Sequence, residues 1–214
     1  MFSSTLTCAL DLLYPRKCAM CGSFSEVPVC EICYSHFQAQ EPNKYRTAEP
    51  LDYASALFDY TGIGARCVQR FKYERITSLA EWMAKLMRSG AEERGLLQVD
   101  AILPVPIHWS RESMRGFNQA ILLCEAMPIE LVRKNVLRRT KATRPQVGLS
   151  HEERLNNLEG AFAAGDCSGL DSVLLVDDVL TSSGTGRECA AVLKKAGVQE
   201  VGLYCFAAER RWRG

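Results

Sequence analysis

The chain is predicted to be an α/β protein, a mainly parallel sheet covered by helices on both faces, with a small four-cysteine module in front of it. Three observations predict this. From Leu51 onward, short apolar runs alternate with longer segments of helical spacing, the pattern of strands joined by crossover helices. One run, Ser172-Val-Leu-Leu-Val-Asp177, stays apolar until it meets two carboxylates, as a strand buried on both faces does. Four of the ten cysteines form two C-x2-C pairs within residues 18–33. A length of 214 residues suits one full core and a satellite module, and the expected division is 1–50 and 51–214.

Taken in order, residues 1–13 place Phe2, Leu6, Ala9, Leu10 and Leu13 at helical spacing, which predicts a short amphipathic helix. It lacks the basic n-region of a secretory signal and carries Asp11 in its apolar part, so cytoplasmic residence is expected. Its polar face lacks the Lys/Arg density of an interfacial helix. Packing on the cysteine module is therefore expected, with peripheral contact at the inner membrane left open. Cys18, Cys21, Cys30 and Cys33 follow. Each C-x2-C turn presents two thiolates to one ion, and Gly22 and Pro28 ease the bends, which predicts a closed structural zinc site. His36 reads as a surface residue, and the polar, two-proline stretch 38–50 as a linker.

The body is predicted as a strand over 53–60, helices over 62–73 and 77–93, and a strand over 99–107. Leu79, Trp82, Met83, Leu86 and Met87 share one face of the second helix. A helix over 111–127, a short strand around Val136, a basic loop and a helix beginning near Ser150 follow. The strand over 173–176, a helix over 184–196 and a strand over 200–207 complete it.

Composition restricts function. With 47% apolar residues, no window approaches the run of about 18 that a membrane-spanning helix requires. A net charge of +1 gives no global attraction to nucleic acid, so any such binding needs a local patch.

Asp177 and Asp178 close the apolar strand, where open α/β sheets bind ligands. Thr181-Ser-Ser-Gly-Thr185 then supplies hydroxyls and backbone N–H groups at a helix start, a position that favours an anion. Carboxylates beside an anion cradle suit a ligand bearing vicinal hydroxyls and a phosphate. The same residues also suit an ordinary turn and N-cap.

Val176-Asp-Asp-Val-Leu-Thr-Ser-Ser-Gly-Thr185 resembles the phosphoribosyl diphosphate (PRPP) loop of type I phosphoribosyltransferases. The whole chain resembles the ComF family of competence-associated, phosphoribosyltransferase-like proteins. That resemblance is carried by Leu13-Tyr-Pro-Arg-Lys-Cys-Ala-Met-Cys21, Phe71-Lys-Tyr73, Pro104-Val-Pro106, Arg115-Gly-Phe-Asn-Gln119, residues 146–157 and the acidic loop. It implies a type I phosphoribosyltransferase fold. Asp177 and Asp178 would then meet the ribose hydroxyls, and Thr181, Ser182, Ser183, Gly184 and Thr185 the 5-phosphate. Val105, Pro106, Ile107 and His108, with Lys72, Arg111 and Arg115, would hold the diphosphate, and magnesium would accompany PRPP. The chain departs from the family at Ser183, where a Gly is usual. Here Gly184 comes one position later, and a Ser strained at φ > 0 would shape the loop differently.

Residues 133–144 hold six basic residues and no acidic one. Arg138 and Arg139, with Gln146 and Arg154, resemble a mobile loop closing over the diphosphate. Arg133, Lys134, Lys141 and Arg144 suit a nucleic-acid backbone. Phe71, Tyr73, Trp109 and Phe117 interleave with basic residues, and the chain ends Arg210-Arg-Trp-Arg213, which suits stacking on single-stranded bases or a solvated tail; Phe71 and Trp109 suit the core equally. His108 and His151 are acid/base candidates by position alone. Two functions remain open on this sequence: a transferase acting on PRPP and a base or amine, and a binding protein. The resemblance implies single-stranded DNA and competence proteins as partners.

Overall fold

The computed structural model describes residues 15–47, 49–74, 76–141, 160–181 and 183–209. The predicted helices over 1–13 and near Ser150, and the basic tail over 210–213, lie outside the described residues. The cysteine module ends in a single helical turn, α1 (Glu31–Tyr34), and leads to β1 (Tyr45–Arg46) and β2 (Tyr53–Asp59). Helices α2 (Gly62–Tyr73) and α3 (Thr77–Glu93) precede β3 (Ala101–Pro104), α4 (Trp109–Arg115) and α5 (Gln119–Leu123). Then come β4 (Leu137–Arg139), β5 (Phe162–Ala164), β6 (Ser172–Leu180), α6 (Gly184–Lys195) and β7 (Glu200–Ala208).

The strands form one sheet in the order β1-β2-β7-β6-β3. β2, β7, β6 and β3 are mutually parallel, and β1 adds an antiparallel edge. β4 and β5 make a separate antiparallel ribbon. Alternation along β6 splits the core in two. Leu174 and Val176 join Tyr204, Phe206, Phe71, Leu79 and Met83 on one face, beneath α2, α3 and α5. Val173 and Leu175 join Leu203, Cys189, Leu193 and Phe162 on the other, beneath α6 and the ribbon. No helix among the described residues is long and apolar enough to cross a membrane.

Four expectations change. The stretch 38–50 is not a free connection: β1 pairs with β2, the Gln40 amide donates to Asp59 at 3.2 Å, and buried Arg94 donates to the Gln40 carbonyl at 3.2 Å. The strand over 99–107 shortens to four residues, because Pro104 and Pro106 have no N–H to continue the ladder. The helix over 111–127 is two helices. Gly116, at φ 85, ends α4, and the Asn118 side chain caps α5 by accepting from Ala120 N. The strand over 173–176 runs on to Leu180, because its pairing with β7 continues at Asp177, Val179 and Leu180.

Close approach of β2 to β7 requires a glycine. Gly202 pairs with Tyr53, and a Cβ there would lie 2.1 Å from the Tyr53 ring. Gly202→Ala is therefore expected to cost about 2–3 kcal/mol by overpacking, read as a fall in melting temperature of roughly 6–10 °C. Tyr53→Ala in the same chain should recover part of that loss, and an unchanged melting temperature for Gly202→Ala alone would contradict the packing.

Candidate functional site

Two sites can be built from the residues upward. In the cysteine module, Gly22 takes φ 77 and its N–H donates to the Cys18 carbonyl at 2.9 Å, while Cys18 N donates to Ser23 O at 2.8 Å. These bonds fold the first C-x2-C into a tight knuckle. The second lies in the α1 turn, where Tyr34 N donates to Cys30 O. All four Sγ atoms lie within 4.8 Å of one another, and those of Cys21 and Cys30 are 3.8 Å apart. A tetrahedron with zinc–sulfur bonds of about 2.3 Å has edges of roughly 3.8 Å, so the donor set fits zinc. The N–H groups of Met20 and Cys30 donate to Cys18 Sγ at 3.3 and 3.4 Å, and such bonds to sulfur favour the thiolate. The Ser23 hydroxyl and N–H lower the Cys21 thiol to about 6. His36 is exposed and lies outside the cysteine cluster.

The second site is a cleft of about 700 Å³ at the carboxyl end of the sheet. It opens because β3 stops at Pro104, opposite Val176, leaving the β6 edge beyond Val176 without a neighbouring strand on that side among the described residues. Strand alternation sends the two carboxylates to opposite faces. Asp178 follows Leu174 and Val176 towards α2, where Lys72 Nζ lies 3.0 Å from its Oδ1. Burial opposes charge on Lys72, but Asp178 and then Asp177 outweigh it and raise the ammonium above its ordinary pKa. Asp177 follows Val173 and Leu175 towards α6 and the ribbon, and one of its oxygens accepts from Asp178 N at 2.8 Å. Burial raises the Asp177 carboxyl to about 7, with the Asp178 charge adding to the effect and Lys72 and Arg139 opposing it.

Basic residues line the remaining walls. Arg111 and Arg115 come from α4, and Arg139 from β4. Burial lowers the pKa of Arg111, with Arg115 adding to it, and burial likewise lowers Arg139. The Arg115 guanidinium lies 5.3 Å over the Tyr73 ring, and that of Arg139 lies 5.0 Å over Phe162. Gln69, Lys72 and Tyr73 line the cleft at i, i+3 and i+4 of α2, hence from one helix face. The start of α6 closes the far end, held close to the sheet by Gly186, where a Cβ would sit 2.7 Å from Leu203 Cδ2.

Of the residues singled out in the sequence, this cleft gathers Asp177, Asp178, Thr181, Ser183, Gly184, Thr185, Val105, Pro106, Ile107, Lys72, Arg111, Arg115 and Arg139. His108 is not among the lining residues. It is buried as the N-cap of α4, its Nδ1 accepting from Ser110 N at 3.3 Å. Arg138 is exposed on the outer side of β4, since alternation turns only Arg139 inward. Arg133 and Lys134 line a separate groove with Asp166, and Lys141 is exposed. Ser182, Arg144, Gln146, His151 and Arg154 lie outside the described residues. Sequence reasoning missed Tyr60, Gln69, Met114, Gln119 and Glu209 as cleft residues; the spacing of Gln69 from Lys72 and Tyr73 and the place of Gln119 in the Arg115–Gln119 motif were usable signals, and the others had none.

Ser183, standing where a Gly was expected, has φ 52, in the left-handed region that disfavours a side chain. Ser183→Gly is expected to raise stability by about 0.5–1 kcal/mol, and β-branched Ser183→Val to lower it by roughly 2 kcal/mol. Chemical denaturation of the two variants reads both signs. A destabilising Ser183→Gly would show that the hydroxyl outweighs the strain.

Comparison with known proteins adds two findings. The family model for the RecR four-cysteine zinc finger domain matches residues 16–33, the four-cysteine zinc module. Over 193 residues the chain is 31% identical to "Competence protein F" of Haemophilus influenzae, with 84% of each chain covered. It is 29% identical over 202 residues to "DNA utilization protein YhgH" of Salmonella typhimurium, 88% of each chain. It is likewise 29% identical over 197 residues to the Escherichia coli K12 protein of the same name, covering 89% of this chain and 82% of that one.

Proposed function

The chain belongs to the competence protein F (ComF) family, and on that footing we propose that it serves DNA uptake in natural transformation through a cleft that binds PRPP. The names of its relatives, competence protein F and DNA utilization protein, support the uptake role. One observation carries the ligand: Asp177 and Asp178, in the carboxyl-terminal half of a central parallel strand, share a single cleft with Thr181, Ser183, Gly184, Thr185 and four basic side chains. The type I phosphoribosyltransferase fold implied by the sequence is compatible with the mostly parallel sheet. On this proposal residues 1–50 are the zinc module with its connection, 51–214 the phosphoribosyltransferase-like part, and the protein acts in the cytoplasm.

Each group then has a defined task. The carboxylates accept from the vicinal ribose hydroxyls, while the loop and the α6 amino terminus receive the 5-phosphate. Lys72, Arg111, Arg115 and Arg139 offset the charge of the diphosphate. The hard oxygens of Asp177 and Asp178 fit magnesium, which would screen the diphosphate when bound with it. Release of diphosphate would need no protein nucleophile, since positioning and charge stabilisation carry such chemistry.

A specific observation favours single-stranded DNA as a second ligand. Trp109, Met114 and Tyr73 are 72%, 68% and 65% exposed on or beside α4, alongside Arg111 and Arg115, and bases stack on such surfaces. Arg133, Lys134, Lys141 and Arg144 supply further backbone contacts on this proposal, with competence proteins as partners in the same process.

Calorimetric titration of the zinc-loaded protein with PRPP and Mg²⁺ tests the ligand. The double variant Asp177→Asn/Asp178→Asn is expected to lose roughly 50-fold or more in affinity, because charged acceptors are replaced by neutral ones. Unchanged PRPP affinity in that variant would sink the proposal. Diphosphate release in the presence of bases, amines or DNA ends separates transfer from binding. Replacing Trp109 and Tyr73 by Ala is expected to weaken single-strand binding about tenfold or more, and unaltered affinity would remove the DNA role from this face.

A further inference from the structure

Gln119 opens α5, is 2% exposed, and lines the cleft. Among the described residues its Nε2 is buried without a hydrogen-bond partner. The side chains that follow it, Ala120 and Leu123, are buried and apolar, so a leucine would suit the position as far as the core is concerned. A buried amide N–H without an acceptor carries an uncompensated desolvation penalty. Such groups are rare in native proteins and need a specific account, of which a ligand that completes the bond is one.

The preceding residue makes the contrast. Asn118 has both ends of its amide engaged, Nδ2 donating to Val105 O at 3.2 Å and Oδ1 accepting from Ala120 N at 2.9 Å. Val105 N in turn donates to Val176 O at 2.9 Å. The loop after β3, the start of α5 and the middle of β6 are thus tied together, and Gln119 is held on the loop's side of the cleft. The unsatisfied group is a donor, so its partner must be an acceptor.

We propose that Gln119 is a ligand-binding residue of the cleft, its Nε2 donating to an anionic oxygen of the diphosphate. This rests on the PRPP reading of the cleft and adds a neutral donor to its basic wall. Arg111, Arg115 and Arg139 are only partly buried as whole residues, although the Nε atoms of Arg115 and Arg139 are themselves buried; Gln119 is buried as a whole residue, and its amide therefore favours an oxygen seated deep in the cleft.

The test is calorimetric titration of the zinc-loaded full chain, in Mg²⁺, with PRPP, inorganic diphosphate and ribose 5-phosphate in turn. Gln119→Leu and Gln119→Met remove the donor at similar volume. Both are expected to weaken PRPP and diphosphate by about tenfold, to leave ribose 5-phosphate within about twofold, and to melt no lower than the unaltered chain. If the unaltered chain binds none of the three, the PRPP reading itself fails. If it binds PRPP and both variants bind it equally tightly, only the role of Gln119 is overturned. Equal loss for all three ligands, or a lower melting temperature in both variants, assigns the amide a structural task and overturns the proposal.

Discussion

Removing the zinc, or replacing Cys18 and Cys33 by serine, is expected to lower the melting temperature of the whole chain by about 10 °C or more. Structural zinc contributes an apparent 10–16 kcal/mol in zinc-finger peptides. Loss of only a third of that, at about 2–4 °C per kcal/mol, gives the stated fall. The effect spreads because the described residues of the module share the core of the body. Cys18, Ala19, Met20, Val29 and Cys33 are buried in the cluster that includes Phe58, Phe71, Tyr204 and Phe206. The Phe37 ring lies 4.9 Å from Phe58 and 5.9 Å from Trp82. Arg66 and Arg70 on α2 donate to the carbonyls of Met20 and Ala19, the former at 3.1 Å. Because α2 also carries Lys72, 3.0 Å from Asp178, loss of zinc should weaken ligand binding in the cleft as well. Thermal unfolding followed by near-ultraviolet circular dichroism, with and without a strong chelator, reads the first effect, and titration with PRPP the second. Two separate transitions, with the body melting as before, would show the module to be detachable.

The local parts of this molecule were legible in its sequence, and the long-range parts were not. Helices α2 and α3 have the predicted bounds, because apolar spacing and flanking polar residues are local signals. The zinc module was equally plain, since all four ligands lie within residues 18–33. Periodicity failed where a short break carried the information: the apolar spacing of 111–127 runs straight through Gly116 and Asn118, which end one helix and cap the next. It failed again on β6, where the apolar run stops at Asp177 but pairing with β7 does not. At the cleft, the acidic pair and the loop after it form one block and could be read together. That Lys72 meets Asp178 while Arg139 approaches Asp177 depends on which sheet face each strand residue takes and which element covers that face. No spacing in the chain encodes this. The unsatisfied amide of Gln119 is likewise a property of packing.

Asp177→Asn is expected to stabilise the ligand-free protein at pH 8 while removing most of its affinity for PRPP. The folded-state carboxyl titrates near 7, against about 3.9 in an unfolded chain. Below about pH 4 both states are protonated, and the residue contributes nothing to pH dependence. Between about pH 4 and 7 the unfolded state has released the proton that the folded state retains, so stability falls as pH rises. Above about pH 7 the loss is complete. Asparagine cannot ionise and escapes it. The gain at pH 8 is on the order of 2 kcal/mol once solvent reaching the cleft is allowed for, or roughly 4–8 °C, and it should vanish as the pH approaches 4. Some of the gain is forfeited, because the Asp177 charge also helps keep Arg139 protonated against burial. A carboxylate that destabilises the empty fold and lines a basic cleft is the arrangement expected of a group whose favourable partner is the ligand. A lower melting temperature for Asp177→Asn at pH 8 would instead make Asp177 a structural counter-ion of Arg139 and Lys72, and would move the ribose contact to Asp178 alone.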